Sequence, residues 1–405
     1  MTEITKGKSP FYPGQPVPVE LFVGRGSQIE RIMTRGAGQV EQGKPIAMYI
    51  QGEYGIGKSS IAGYVQWLAE RDHNLHSIYA PLSNCSNLND VAEAVLNATI
   101  RSGAFYPTRT ESIGNWLGKY ITKQSLFGQT IDLSALKQDA PALSSPHEML
   151  NFLRETRKRL ENTGVKGIFL VLDEINGISS NPQFAHFIKS LIDSNALSPN
   201  PLPLLLILCG VEERRREMIQ KHQPIDRIFD VVEIAPMNEM EMEEFFNRAF
   251  RSVHMEVDKP ALKRLTFYSA GFPKIMHLLG DAVYWVDKDG IINNNDAKDA
   301  VLIAADEVGK KYVDQQVYRA LRSSDYHSIL LKISKVNPNE MGFMKSVVAS
   351  ALSATEKKKF NNFLQKMKRL KVIRSGDVKG EYIFNMRMVR LYIWLQSLEQ
   401  EKSKN

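Results

Sequence analysis

Eight consecutive residues have the types and the spacing of a phosphate-binding loop. Residues 52–59 read Gly-Glu-Tyr-Gly-Ile-Gly-Lys-Ser, which is a complete G-x-x-x-x-G-K-[ST] pattern. The glycines let backbone N–H groups converge on phosphate oxygens, the Lys58 ammonium can reach the β- and γ-phosphates, and the Ser59 hydroxyl can bind Mg²⁺. The predicted nucleotide contacts of this loop are Gly52, Tyr54, Gly55, Ile56, Gly57, Lys58, Ser59 and Ser60.

The segments on either side of the loop are those that a phosphate site needs. Residues 46–51 form an apolar run that predicts a buried strand, and residues 61–68 continue with the apolar stripe of a helix. A helix that begins at the loop directs the positive end of its dipole at a bound anion. The order strand, glycine loop and helix therefore supports a nucleotide site.

A second candidate element follows more than a hundred residues later. Residues 167–172 are continuously apolar, as in a parallel strand covered on both faces, and they end in Asp173 and Glu174. An aspartate at the carboxyl end of a central strand can hold Mg²⁺ through water beside Ser59, and the next glutamate can polarise an attacking water. The predicted metal ligands are thus Ser59 and Asp173, and the predicted catalytic residues include Lys58 and Glu174.

These motifs resemble those of the AAA+ superfamily of P-loop ATPases. The resemblance is closest to the branch that holds replication initiators, archaeal-type STAND-like ATPases and transposition regulators. Residues 21–26, followed by Glu30, are similar to a family segment that packs against adenine. The resemblance implies ATP as the nucleotide, with Mg²⁺, and contacts from Val23, Gly24 and Arg25 on the base side.

Three further positions carry roles only through this resemblance. The predicted strand 202–209 ends at Cys209, where the family places a polar sensor residue, so hydrolysis is expected to be slow. Arg227 resembles the arginine finger that enters a neighbouring subunit's ATP site. Lys274, in a Gly-Phe-Pro-Lys turn, resembles a second sensor that touches the γ-phosphate. A solvated turn arginine and a surface lysine are the alternatives for these two residues.

Composition excludes several classes of protein. The chain has 405 residues, 43% of them hydrophobic and 24% charged, which predicts a globular protein of two or three domains. Its apolar runs are far shorter than the ~20 residues of a membrane span, and its two cysteines give neither a disulfide framework nor a metal-ligand spacing. We therefore expect no membrane contact and a cytoplasmic location.

The fold class predicted is α/β, with a P-loop AAA+ core around a parallel sheet, then a helical lid and a C-terminal winged-helix domain. Strand signals cease from Met237 until a hairpin near the C-terminus. Residues 103–145 fit the alternation of strands and helices poorly and are predicted to be an insertion. The predicted divisions are an extended arm at 1–20, the nucleotide-binding domain at 21–236, the lid at 237–312 and the winged helix at 313–405.

The winged-helix prediction rests on helix candidates at 325–335, 341–351 and 355–370, followed by the hairpin. Seven lysines and four arginines lie between residues 351 and 395 against three acidic residues, so the net charge of +7 is concentrated there. The third helix is the candidate for a major groove, and Lys379 on the hairpin for a phosphate. Its basic residues are Lys357, Lys358, Lys359, Lys366, Lys368 and Arg369. A solvated helix face or a protein-binding module is the alternative.

Together these features predict an ATP-dependent molecular switch. ATP would bind between the core and the lid, and Arg227 of one subunit would complete the site of the next, so nucleotide state would be coupled to homo-oligomer formation. The winged helix would pass that state to double-stranded DNA or to an effector protein. Two alternatives stay open: a DNA-loading or transposition-regulating ATPase that assembles on duplex DNA, and a STAND-like signalling or defence ATPase that does not bind DNA.

Overall fold

The chain divides into two compact units. One unit holds residues 16–235, and the other holds residues 1–15 together with residues 236–405. The predicted insertion lies outside the described residues except for its last three, 143–145. The computed structural model describes residues 6–15, 17–102, 143–336, 340–376 and 378–402.

The unit of residues 16–235 is built on a five-stranded parallel sheet with the strand order β2-β3-β4-β1-β5. Every residue of β3 and β4 is buried, because helices cover both faces of the sheet and the strands are apolar throughout. The parallel sheet confirms the predicted α/β fold class. The strands are β1 (Ile46–Gln51), β2 (Leu75–Pro81), β3 (Gly167–Asp173), β4 (Leu204–Gly210) and β5 (Asp230–Glu233).

The helices of this unit connect the strands, as parallel pairing requires. A π-helical segment, Met33–Ala37, joins the first two of them into one continuous stretch. The described helices are α1 (Gly26–Ile32), α2 (Gly38–Glu41), α3 (Lys58–His73), α4 (Leu88–Ser102), α5 (Pro146–Arg159), α6 (Pro182–Ala196) and α7 (Glu212–Lys221).

The register of the sheet brings the carboxyl ends of its central strands to one edge. Ile50 of β1 lies opposite Cys209 of β4, and Leu172 of β3 lies opposite Leu208 of β4. The phosphate loop begins directly after β1, and Asp173 is the last residue of β3. Ligands of open parallel sheets bind outside these carboxyl ends, so the sheet places both predicted motifs where a ligand would bind.

The second unit is mainly helical. It also contains a pair of parallel strands, β6 (Glu256–Val257) and β7 (Ile291–Ile292), so the expectation of a strand-free segment after Met237 is wrong. Each strand has only two residues, which is too short to give a period-2 pattern in the sequence. The helices are α8 (Glu239–Ser252), α9 (Lys259–Ser269), α10 (Pro273–Val286) and α11 (Asn294–Val308), and a π-helical segment, Gly309–Tyr318, follows.

Residues 6–15 of the N-terminal arm are anchored within this helical unit. Phe11 is 4% exposed, and its ring centroid lies 5.1 Å from that of Phe250. The backbone N–H of Tyr12 donates to Nδ1 of His277 at 3.1 Å. Burial lowers the pKa of His277 to about 4, so the imidazole is neutral near pH 7 and can accept this bond. Gly280 leaves the room for Phe11, since a Cβ there would lie 2.2 Å from the ring.

The C-terminal residues of this unit combine helices with a three-stranded antiparallel sheet of order β8-β10-β9. The predicted helix at 341–351 is shorter than expected, because residues 342–344 instead form a strand that pairs with β10. Among the described residues, no helix is long and apolar enough to cross a membrane. The elements are α12 (Ser324–Lys335), β8 (Gly342–Met344), α13 (Lys345–Ser350), α14 (Ala354–Arg369), β9 (Ile373–Ser375), β10 (Glu381–Phe384) and α15 (Arg387–Lys402).

Candidate nucleotide site

The glycines of the phosphate loop are required by its backbone. Gly55 and Gly57 have φ values of +77° and +99°, which L side chains rarely adopt. A Cβ on Gly52 would lie 2.8 Å from Cγ2 of Ile56 and 2.9 Å from the carbonyl oxygen of Ile234. The loop can therefore close tightly only with glycine at these three positions.

The loop ends at the amino terminus of α3. The N-cap residue is Gly57, so no side chain caps the first-turn N–H groups of this 16-residue helix. Such N–H groups, together with the helix dipole, favour an anion at this position. A phosphate group fits the loop by this test.

Lys58 holds the loop closed. Its Nζ donates to the carbonyl oxygen of Gly52 at 3.0 Å and to that of Glu53 at 2.9 Å. Burial lowers the pKa of Lys58, while the carboxylates of Asp173 and Glu174 act in the opposite direction. The ammonium is therefore placed at the loop before any phosphate arrives.

The acidic pair at the end of β3 consists of one buried and one exposed carboxylate. Asp173 is 3% exposed, and its Oδ1 accepts a hydrogen bond from the backbone N–H of Glu174 at 2.8 Å. Its Oδ2 accepts the hydroxyl of Tyr79 at 2.5 Å. Glu174 is exposed and has a φ of +55°. The hydroxyl of Ser59 and the carboxylate of Asp173 are hard oxygen donors, which suit Mg²⁺.

Cys209 lies beside this carboxylate at the end of β4. Its side chain forms a hydrogen bond with Asp173, and burial, followed by the charge of Asp173, raises the pKa of the thiol well above its ordinary value. The group is therefore a neutral thiol near pH 7. A thiol is a weak hydrogen-bond donor, so this position lacks the polar sensor that the resemblance implies.

Of the three residues predicted on the base side, Arg25 bonds to the phosphate loop. Val23 is buried and Gly24 has a φ of +74°. The guanidinium of Arg25 donates to the carbonyl oxygens of Ile56, at 3.2 Å, and of Ala235. Arg25 therefore supports the phosphate loop through main-chain contacts.

Three other predicted residues lie in different surroundings. The hydroxyl of Ser60 accepts the backbone N–H of Val17 at 3.4 Å. Arg227 is exposed on the 3₁₀-helix Gln223–Ile228. Lys274 is an exposed residue in the first turn of α10 in the helical unit, and its role as a sensor stays a prediction.

Two contacts of the site are absent from the sequence-based predictions. The first is Tyr79, whose phenol meets Asp173. The second is Arg214, which pairs with Glu217 at 2.7 Å and interacts with the hydroxyl of Tyr54 in the loop. A tyrosine in a strand and an arginine in a charged helix are common, so no local pattern marks either residue.

Solved structures with a similar fold exist, although the sequence comparisons find no match. No protein-family model matches the chain, and no curated protein sequence is significantly similar to it. The ORC2 protein of Aeropyrum pernix, solved as ADPNP-ADP complexes, matches over 97% of this chain and 98% of its own, with a TM-score of 0.60 and 11% identity. A Walker-type ATPase of Pyrococcus abyssi matches over 95% and 99%, with a TM-score of 0.59 and 16% identity.

A third similar structure is Cdc6p from Pyrobaculum aerophilum, with a TM-score of 0.50, 10% identity and coverage of 96% of this chain and 97% of that one. At such identities the likeness concerns the fold. The chain has the mixed α/β fold of ORC/Cdc6-like AAA+ ATPases, with a C-terminal domain. In this fold, the phosphate loop and the acidic pair lie at the carboxyl ends of the parallel strands.

The geometry of Lys58 predicts the effect of its removal. In Lys58→Ala we expect ATP affinity to fall on the order of 100-fold, because a half-buried, hydrogen-bonded charge in the phosphate loop is lost. Isothermal titration with ATP and Mg²⁺ measures this. Lys44→Ala, which removes an exposed lysine just before β1, is the matched control and should bind ATP as the wild type does. Near-native affinity in Lys58→Ala would move the nucleotide site elsewhere.

Proposed function

We propose that this chain is an AAA+ molecular switch that binds and hydrolyses ATP. The observation that carries this proposal is the meeting of an uncapped helix terminus, a closed glycine loop and a buried carboxylate at one edge of the sheet. These groups provide a cradle for phosphates and oxygen donors for a divalent cation. The fold that the chain shares with ORC/Cdc6-like AAA+ ATPases supports the same class.

The residues divide into three roles. Backbone N–H groups of the loop and the Lys58 ammonium would hold the phosphates, and Ser59 and Asp173 would hold Mg²⁺. The bound Mg²⁺ would neutralise negative charge on the phosphates. Glu174 accepts a hydrogen bond from the attacking water and orients it, since its carboxylate is exposed beside the buried Asp173.

Glu174→Gln tests the catalytic role. Because glutamine keeps the shape but cannot accept the proton, we expect ATP to bind normally and hydrolysis to slow by about 100-fold or more. Steady-state phosphate release measures this. Glu233→Gln, which alters an exposed carboxylate at the carboxyl end of β5, should hydrolyse ATP at the wild-type rate. An unchanged rate in Glu174→Gln assigns the catalytic carboxylate to another residue.

We also propose that ATP promotes self-assembly. Arg227 is exposed and thus accessible to a second copy of the chain, in which its guanidinium would stabilise charge on the γ-phosphate. The neighbouring Asp226 is paired with Arg215 at 2.5 Å, an ion pair that holds the preceding residue of the same turn. Asp226 is thus engaged within its own chain, and Arg227 is the residue of this turn that we assign to a neighbour's site.

Arg227→Ala should bind ATP normally but lose ATP-dependent oligomers and most hydrolysis, because the missing charge belongs to the next subunit's site. Light scattering with ADP and ATP, together with phosphate release, measures both effects. Mixing Arg227→Ala with Lys58→Ala should restore part of the activity, since an intact loop then meets an intact arginine. Arg216→Ala removes an exposed, ion-paired arginine of α7 and is the control. Wild-type assembly by Arg227→Ala would leave the arginine without this role.

The C-terminal domain is proposed to pass the nucleotide state to DNA or to a partner protein. The lysines of α14 are not equivalent in this respect. Lys359 pairs with Asp325 at 2.6 Å, and Lys368 donates to Ser375 at 2.5 Å. Lys357 and Lys358 are exposed at the start of the helix. These two are the better candidates for phosphate contacts.

The double variant Lys357→Gln/Lys358→Gln should therefore flatten the salt dependence of DNA binding. Two lost phosphate contacts reduce the log–log slope by about 1.8. Fluorescence anisotropy on duplex DNA, titrated from about 50 to about 200 mM salt, gives the slope. Lys310→Gln/Lys311→Gln removes two exposed, ion-paired lysines of the same unit and should leave the slope unchanged.

A second candidate function is a STAND-like signalling or defence ATPase whose C-terminal domain binds protein. The buried, neutral thiol of Cys209 favours it, because a weak donor at the position where the resemblance implies a polar sensor predicts slow turnover. The same anisotropy titration separates the two functions. A wild-type chain that does not bind duplex DNA even at the lowest salt, with ATP present, supports the protein-binding alternative.

A further inference from the structure

The buried carboxylate of the site is held by a phenol from a neighbouring strand. Tyr79 is in β2, which pairs with β3 so that Tyr79 lies opposite Val171 and Pro81 opposite Asp173. From this position its hydroxyl donates to Oδ2 of Asp173 at 2.5 Å. The contact is thus set by strand register and does not depend on a loop.

Each oxygen of Asp173 has one strong donor. The backbone N–H of Glu174 holds Oδ1 at 2.8 Å, and the Tyr79 hydroxyl holds Oδ2. The thiol of Cys209 also bonds to this carboxylate, but it is a much weaker donor than a phenol. Without the phenol, the Oδ2 atom would keep only a weak partner, and the carboxylate could rotate about its single strong bond.

Burial raises the pKa of Tyr79, and Ser59 acts in the opposite direction, so its side chain is near the same hydroxyl. Tyr79 therefore bonds to the carboxylate proposed to hold Mg²⁺ at the end of β3 and lies near the hydroxyl proposed for the same role in the loop after β1. The other described tyrosine of the central sheet, Tyr49, instead donates to a backbone carbonyl, that of Val211, at 3.1 Å.

We propose that Tyr79 is a positioning residue for the metal end of the nucleotide site. It holds the Asp173 carboxylate in one orientation beside Ser59, so that a metal–nucleotide complex meets a preformed pair of oxygen groups. This inference rests on the proposed ATP-binding function and adds a residue through which metal affinity is set. Partners that orient a ligand carboxylate typically change metal affinity 10- to 100-fold when they are removed.

The test is Tyr79→Phe, which removes the hydroxyl and keeps the ring. Affinity for a fluorescent ATP analogue is measured in EDTA and in increasing Mg²⁺, and Mn²⁺ binding to the ATP complex is measured by electron paramagnetic resonance. We expect unchanged nucleotide affinity in EDTA and metal affinity that is about tenfold weaker or more. Tyr49→Phe, which also loses one buried phenol hydrogen bond, should show wild-type values in both measurements.

A double-mutant cycle with Asp173→Asn tests whether Tyr79 acts through this carboxylate. In the Asp173→Asn background, Tyr79→Phe should not weaken metal binding further, because the group that it orients is already neutral. Wild-type metal affinity in Tyr79→Phe would overturn the inference. An equal loss in EDTA and in Mg²⁺ would also overturn it, since Tyr79 would then support the loop rather than the metal end.

If the proposed ATP-binding function itself is wrong, the experiment gives a different result from a wrong assignment of Tyr79. In that case the wild-type chain itself binds no ATP analogue, either with Mg²⁺ or in EDTA, and the assignment of Tyr79 is lost with the site. If the wild type binds ATP with a clear Mg²⁺ dependence and Tyr79→Phe matches it, only the assignment of Tyr79 is wrong. Thermal unfolding of Tyr79→Phe and Tyr49→Phe without nucleotide confirms that both variants are folded.

Discussion

The parallel register of β1, β3 and β4 is the constraint on which the candidate site depends. It aligns Ile50 with Cys209 and Leu172 with Leu208, so the three strands end at one edge of the sheet. The phosphate loop, the buried carboxylate and the thiol then become neighbours although they are far apart in the sequence. A shift of one residue would turn each side chain to the opposite face and separate these groups.

The charged groups of the site are hydrogen-bonded before a ligand arrives. The Lys58 ammonium donates to two loop carbonyls, and the Asp173 carboxylate accepts from neutral donors. A buried charge is costly unless it is hydrogen-bonded, so these contacts stabilise groups whose main partners are a phosphate and a cation. They also fix the geometry in advance, which is the condition for selective electrostatic stabilisation of developing charge.

In the helical unit, both local hydrogen bonds and long-range packing stabilise the fold. Helix α14 is capped by the reciprocal bonds of Ser353 and Glu356, while Phe11 of the N-terminal arm fills a space that exists because residue 280 is glycine. The same packing gives Lys359 an ion pair with Asp325 of α12, and Lys368 a hydrogen bond to Ser375 of β9. A count of positive charges along the sequence cannot predict these contacts, because they depend on neighbours from α12 and from the hairpin.

The sequence alone determined the elements whose signal is local. The glycine pattern of residues 52–59, the apolar runs of β3 and β4 and the acidic pair after β3 predicted the parallel α/β core, because each is a short-range requirement of backbone geometry or burial. Only the tertiary structure decided that Tyr79 meets Asp173, that Arg25 donates to the loop carbonyl of Ile56, and that residues 342–344 form a strand. These contacts join residues from separate elements, and they arise from strand register and packing, which no local pattern of residue types records.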